Sequence, residues 1–292
     1  MPGRLVRATA LAVAFIVPWQ ETALAQDASG TLLAAERALG QESDRRGLGR
    51  ALLQVLRADA VILWPGAPVA PGPDARRLLA AQPALNSLRL TWQPLGFELS
   101  GDSTLAITWG VAVLTSRSEP AAPRVGRYIH AWQRDDGRWR LAAALLAGAP
   151  PAAGAVVPPG MPLRRTPLAA AGPVAPFVSA DLAFAKLAGD SGAAAAFARW
   201  AAPGAVMVNG SGLLVRGSDA IGALVAGPEA WGWHPVAAGA AASQDLGWTV
   251  GEATIAPPGG ATVHSKYLTV WRRLPDGSVR FVTDGGNPRP AP

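Results

Sequence analysis

The stretch WQPLGFELSGDSTLAITWG at residues 92–110 has a partner of equal length, WHPVAAGAAASQDLGWTVG, at residues 233–251. Trp92, Pro94, Leu105, Thr108 and Gly110 recur as Trp233, Pro235, Leu246, Thr249 and Gly251, all displaced by 141 positions. Downstream, Tyr128 and Trp132 recur as Tyr267 and Trp271, and each pair runs on to an Asp-Gly turn, Asp136-Gly137 and Asp276-Gly277. Upstream, Gly47, Ala51, Leu52, Asp74 and Leu79 match Gly192, Ala196, Phe197, Asp219 and Leu224 at a displacement of 145. The displacement falls from 145 to 141 and then to 139, and small length changes of this kind belong in surface loops. Two long copies make a duplicated domain, because solenoid periods are far shorter.

Within the second copy, Ser179 reads as the cap of a helix with Asp181 in its first turn, and Gly189 as its end. A following helix carries Phe197 and Trp200 on one face, and Pro203-Gly204 stops it. Val206-Met207-Val208 and Leu213-Leu214-Val215 flank Asn209-Gly210-Ser211-Gly212, a hairpin signal. Ser218 reads as the cap of a short helix, and strands are expected near 234–242, 246–255, 262–273 and 278–284. Helices followed by a run of long strands predict an α+β fold, with N-terminal helices packed against a curved antiparallel sheet.

Residues 1–25 carry Arg4 and Arg7, an apolar stretch from Ala8 to Trp19 and then Ala23-Leu24-Ala25, the pattern of a cleavable secretory signal. The stretch is shorter than a membrane span and Pro18 interrupts it. The expectation is a periplasmic or extracellular protein with no membrane span after cleavage. Residues 26–147 then form the first, divergent domain, 148–176 a Pro- and Ala-rich linker, and 177–292 the second domain. The 26 basic residues against 20 acidic ones are scattered, without the basic runs of a nucleic-acid surface. The absence of cysteine removes disulfides, thiolate metal sites and a cysteine nucleophile.

The landmarks of the second copy resemble the nuclear transport factor 2-like superfamily, and most of all its SnoaL-like and related bacterial domains of unknown function. They include Gly217-Ser218-Asp219-Ala220-Ile221, Trp233-His234-Pro235, Asp245 to Gly251, Lys266 to Arg273 and Asp284-Gly285-Gly286-Asn287-Pro288. The first copy keeps the strand landmarks only. The resemblance implies two tandem cone-shaped domains, each a bent sheet wrapped around helices and an internal pocket. It also implies pairing of domains through their sheets, within this chain or between chains in a homo-oligomer. The superfamily holds cyclases, isomerases and dehydratases beside noncatalytic binding and association domains, so fold alone selects no function.

Catalytic members place an Asp, His or Tyr in the pocket, where burial tunes a group for proton transfer. Asp284, His234 and Tyr267 are the candidates here, with Trp231, Trp233, Trp248, Tyr267 and Trp271 as the pocket's aromatic lining. Each has a structural reading as well: His234 as a half-exposed residue at a strand start, Asp284 as the acceptor of the Gly285 and Gly286 amides in a turn. The aromatic row Tyr267, Thr269, Trp271 shares one strand face and equally suits a core. The first copy offers Gln93 for His234 and Ala144 for Asp284. Asp74 and Asp219 sit at helix starts, where a negative charge suits the dipole. Three dispersed histidines give no metal-ligand spacing, and no cofactor motif is present. With no acid/base pair shared by the copies, the expected function is a noncatalytic module for a small apolar or aromatic ligand, or for association. The alternative is an isomerase, cyclase or dehydratase acting in the second domain alone.

Overall fold

The computed structural model describes residues 19–117, 122–148, 156–161 and 167–292. Most of the expected signal (residues 1–18) and parts of the expected linker lie outside these residues, and residues 19–25 are described as backbone only. The first copy runs α1 (Trp19–Arg46), α2 (Leu48–Val55), β1 (Leu56–Leu63), β2 (Ala70–Pro71), α3 (Pro73–Ala80), β3 (Leu88–Leu99), β4 (Leu105–Ser116), β5 (Arg124–Asp135) and β6 (Arg138–Ala147). The second repeats that order with α4 (Ala175–Ser191), α5 (Ala193–Trp200), β7 (Ala201–Val208), β8 (Leu214–Arg216), α6 (Ser218–Leu224), β9 (Ala230–Ala240), β10 (Leu246–Ala256), β11 (Val263–Arg273) and β12 (Val279–Pro288). Two six-stranded sheets result, ordered β2-β1-β6-β5-β4-β3 and β8-β7-β12-β11-β10-β9. The tandem α+β architecture read from the repeat is therefore present.

Four local expectations need correction. Each sheet is mixed rather than wholly antiparallel, because β1 pairs with β6 and β7 with β12 in parallel. A helix and four strands separate the members of each parallel pair, enough chain for the return crossover that parallel pairing needs. Helix α4 starts at Ala175, four residues before Ser179, and ends at Gly192 rather than Gly189. Pro176 suits a first helical turn, and Gly192 takes φ of +85°, a conformation that a glycine adopts without steric cost. The second domain thus begins inside the expected linker, and Asp181 moves from the first turn into a buried second turn. Gly217, not Ser218, occupies the cap of α6, and no side chain bonds the helix end. The hairpin forms as read: Asn209 Oδ1 accepts the backbone N–H groups of Ser211 and Leu213, and β7 pairs with β8.

The alternation along β11 sorts the second sheet's two faces. Tyr267, Thr269 and Trp271 point towards α4, where Phe177, Phe184, Phe197 and Phe281 complete the core. Each such side chain, once buried, is worth roughly 1.5–3 kcal/mol. Leu268 and Val270 point the other way, and there the two copies meet in one continuous apolar cluster with Val61, Ile107, Ile129 and Leu145. Gly285 lies so close to Ile129 that a Cβ would come within 2.7 Å of its δ-methyl. Asn287 Nδ2 donates to the first copy's Leu63 and Leu146 carbonyls at 2.8 and 2.7 Å. At the rim, Asp245 accepts the Gly101 amide, Asp102 the Ser243 amide, and Glu98 the Arg272 guanidinium. No helix among the described residues is long and apolar enough to cross a membrane.

Candidate functional site: a cavity in the second copy

The inward face of the second sheet leaves a cavity of about 180 Å³ between the sheet and helices α4 and α5. Strand order gives it two unlike ends. Trp231 and Trp233 on β9 and Ala253 and Ile255 on β10 line one side, and Phe184 and Phe197 come from the helices. Thr269 on β11, Asp284 on β12, and Asn209 just past β7 line the other. Tyr267 lies between them.

The tyrosine's hydroxyl is already committed. It donates to Asp181 on α4, 3.1 Å from either carboxylate oxygen, and Trp233 Nε1 donates to the same group at 3.0 Å. Thr249 adds a third hydrogen bond. Burial still outweighs these donors, and the Asp181 carboxyl is pushed up to about 6. Tyr267 is driven well above its ordinary range by burial and by the Asp181 charge, so it stays a neutral donor. Gly251 makes this contact sterically possible: a Cβ there would sit 2.3 Å from the Tyr267 hydroxyl and 2.2 Å from the His234 carbonyl.

Asp284 has a sparser environment. One oxygen accepts the Thr269 hydroxyl at 2.5 Å. Burial, reinforced by the Asp181 charge and opposed by the Thr269 bond, raises its carboxyl to about 7. Near neutral pH it therefore exists in both protonation states, which lets it donate or accept a proton. The turn role foreseen for it does not materialise, since β12 runs on through Pro288 and Gly285 and Gly286 are ladder residues.

Of the candidate residues, Asp284, Tyr267, Trp231 and Trp233 come together on the cavity wall. His234, Trp248 and Trp271 do not. Strand alternation turns His234 away from its neighbour Trp233, towards the face where Glu252 is its direct cross-strand partner. Trp248 lies on that same face of β10, its indole covering Gly239, where a Cβ would come within 2.5 Å of the ring. Trp271 is on the inward face but lies fully buried among Phe184, Trp200 and Phe281, with its Nε1 donating to Thr249 at 2.8 Å.

Asp181 is the residue the sequence reading missed, and with it a correspondence between the copies. The displacement of 145, continued upstream, aligns Asp181 with Glu36, Phe177 with Leu32 and Phe184 with Leu39. All six are buried. Glu36 Oε1 accepts from the Thr108 hydroxyl and from Trp132 Nε1, and pairs with His130 Nδ1 at 3.0 Å. The copies thus do share a buried carboxylate, one that organises the polar centre of each domain. They differ around it. In the first copy the Trp92 ring packs 4.8 Å from Tyr128 and 4.6 Å from His130, and Ala144 stands where the second has Asp284. Among the described residues no group of three or more His, Cys, Asp or Glu is placed to hold a metal.

No protein-family model and no curated protein matches the chain. Solved structures do match it, one domain's worth at a time. An NTF2-like protein with a cystatin-like fold from Novosphingobium aromaticivorans is 19% identical, with 39% of this chain and 79% of that one aligned at a TM-score of 0.33. Other matched structures are likewise described as NTF2-like proteins of unknown function. A ketosteroid isomerase-like protein from Erwinia carotovora is 11% identical over 41% of this chain and 97% of its own, at a TM-score of 0.35. The Δ5-3-ketosteroid isomerase of a Mycobacterium species is 19% identical over 38% and 91%, at 0.32. Likenesses of this size assign neither a family nor an activity.

Proposed function

We propose that this protein is a binding module whose second domain takes a small, mostly apolar ligand into the cavity between α4, α5 and the sheet. The observation that carries the reading is the lining: six apolar or aromatic side chains at one end and a small set of convergent polar groups at the other, the usual make-up of a ligand site. The first domain supplies packing for the second sheet's outer face. Export through cleavage after Ala25 belongs to the same reading and is checked by the mass of the mature N-terminus.

Tryptophan fluorescence titration with small apolar monocycles tests binding, because Trp231 and Trp233 form part of the wall. Ala253→Phe places a ring inside the cavity and is expected to abolish a response that the parent gives. Equal responses in parent and variant would locate the ligand elsewhere.

A second reading is favoured by one observation, the Asp284 carboxyl raised to about 7 on the cavity wall. In it the second domain is an isomerase, cyclase or dehydratase in which Asp284 moves the proton. Tyr267 then acts only through Asp181, since its hydroxyl is engaged there, and His234 has no part. Turnover of a bound ligand that vanishes in Asp284→Asn, with binding kept, supports this reading over simple binding.

A further inference from the structure

We infer that the ligand is a neutral molecule of one ring carrying a single hydroxyl or carbonyl oxygen, held with its ring at the β9–β10 end and its oxygen at Asp284. The inference rests on the cavity reading above and names the chemical class that the cavity admits. Three properties of the wall lead to it.

The first is size. An apolar protein cavity of about 150 Å³ takes up benzene. The present cavity of about 180 Å³ is close to that, so it encloses a ring with one or two small substituents, whereas a fused four-ring skeleton would have to project out of it. The second is charge. Among the described residues no Lys, Arg or His lines the cavity, and the one lining group that titrates near neutrality is the acid Asp284. A carboxylate or phosphate would enter without a counter-ion and beside a group of its own sign, which costs several kcal/mol in a buried site.

The third is polarity. The sheet order β9-β10-β11-β12-β7 places Trp231 and Trp233 at one edge of the cavity and Asp284 and Asn209 at the other. Phe184 meets Trp233 edge to face at 4.6 Å, and Phe197 lies 5.8 Å from Trp231, giving the aromatic end walls on several sides. A ring there finds apolar and aromatic partners. Asp284 bonds to Thr269 through one oxygen, and its carboxyl, being close to half-protonated at neutral pH, serves a ligand hydroxyl as acceptor or a ligand carbonyl as donor. Tyr267 and Trp233 contribute surface rather than hydrogen bonds, as Asp181 holds both their donors.

Calorimetric titration of the full chain at pH 7 with four probes tests the class: toluene, 4-methylphenol, 4-methylbenzoate and a four-ring ketosteroid. The expected order is 4-methylphenol about tenfold tighter than toluene, the gain of one hydrogen bond in a buried site, with no detectable binding of benzoate or steroid. In Asp284→Leu, 4-methylphenol and toluene are expected to bind within about twofold of each other. Toluene binding as well as 4-methylphenol in the parent chain overturns the oxygen contact. Tighter binding of steroid or benzoate overturns the size or charge argument. Each of these failures leaves the cavity as a binding site. If none of the four binds, the proposed function fails along with the inference. The four-probe comparison in the parent chain decides the matter even where the leucine variant does not fold.

Discussion

At the residue scale the two inward carboxylates set the chemistry. Burial raises the pKa values of Asp284 and Asp181, to about 7 and about 6, from an ordinary value near 4. The folded chain therefore keeps protons that the unfolded chain releases, and stability falls as pH rises. The full stabilisation is present below about pH 4 and is lost as pH climbs through about 7. At roughly 1.4 kcal/mol per pH unit, Asp284 contributes up to about 4 kcal/mol across that window. Denaturant unfolding of Asp284→Asn is expected to show a flatter pH profile between 4 and 7 and higher stability than the parent at pH 8; an unchanged profile would contradict a buried, proton-holding Asp284. Gly251→Ala is expected to cost more than the ordinary penalty of about 1–3 kcal/mol for overpacking, because its Cβ meets both the Tyr267 hydroxyl and a strand carbonyl. A midpoint in urea equal to the parent's would count against it. Asp284 was legible in the sequence from its place before Gly285-Gly286-Asn287-Pro288. Its role was not, because the strand that carries it is longer than the turn residues suggested. His234 stood beside Asp284 as a weaker candidate, and the strand's period of two turns it away from the cavity.

At the element scale, helix α4 and strand β11 matter as a unit. The helix starts a turn earlier than its apparent serine cap, and that shift converts Asp181 from a dipole partner into the buried anchor of Tyr267 and Trp233. Local capping signals pointed the other way, since Ser179 followed by Asp181 fits a helix start well. The signal that would have found Asp181 was the repeat itself: carried upstream, it pairs Asp181 with Glu36 inside an apolar pattern common to both helices. Asp181→Ala takes the acceptor from Tyr267, Trp233 and Thr249, which costs about 1–3 kcal/mol for each donor that stays buried and unpaired. The expected result is a loss of roughly 2–5 kcal/mol in chemical denaturation, with Trp233 fluorescence changed in the native baseline. A loss below about 1 kcal/mol would mean that the donors find other partners. The aromatic row of β11 was readable as a shared face, yet Trp271 went to the core and Tyr267 to the cavity, a division decided by α5 and Phe281 packing over one end of the row.

At the scale of the whole molecule, the duplication has kept the frame and let the centres diverge. Both domains retain a helix carboxylate, a glycine opposite a tyrosine, and a strand tryptophan bonded through its Nε1. The order of elements, the tandem division and most strand positions followed from comparing the copies, because turns and glycines leave local marks. The meeting of the sheets left no such mark: Leu268 and Val270 read as ordinary strand residues and Gly285 as part of a turn until Ile129 and Leu145 cover them. Residues 177–292 produced alone would expose that face, and the expectation is dimerisation or aggregation on size exclusion; a stable monomer would contradict the covering role of the first domain. The central claim is that the second copy, not the first, holds the ligand site. Methionine methyl labelling tests it directly, since Met207 lines the cavity and Met161 lies in the first domain's apolar cluster. On titration of the intact protein with 4-methylphenol, the Met207 methyl resonance is predicted to shift with saturation while Met161 stays in place. A saturable shift at Met161 with Met207 unmoved would contradict the account.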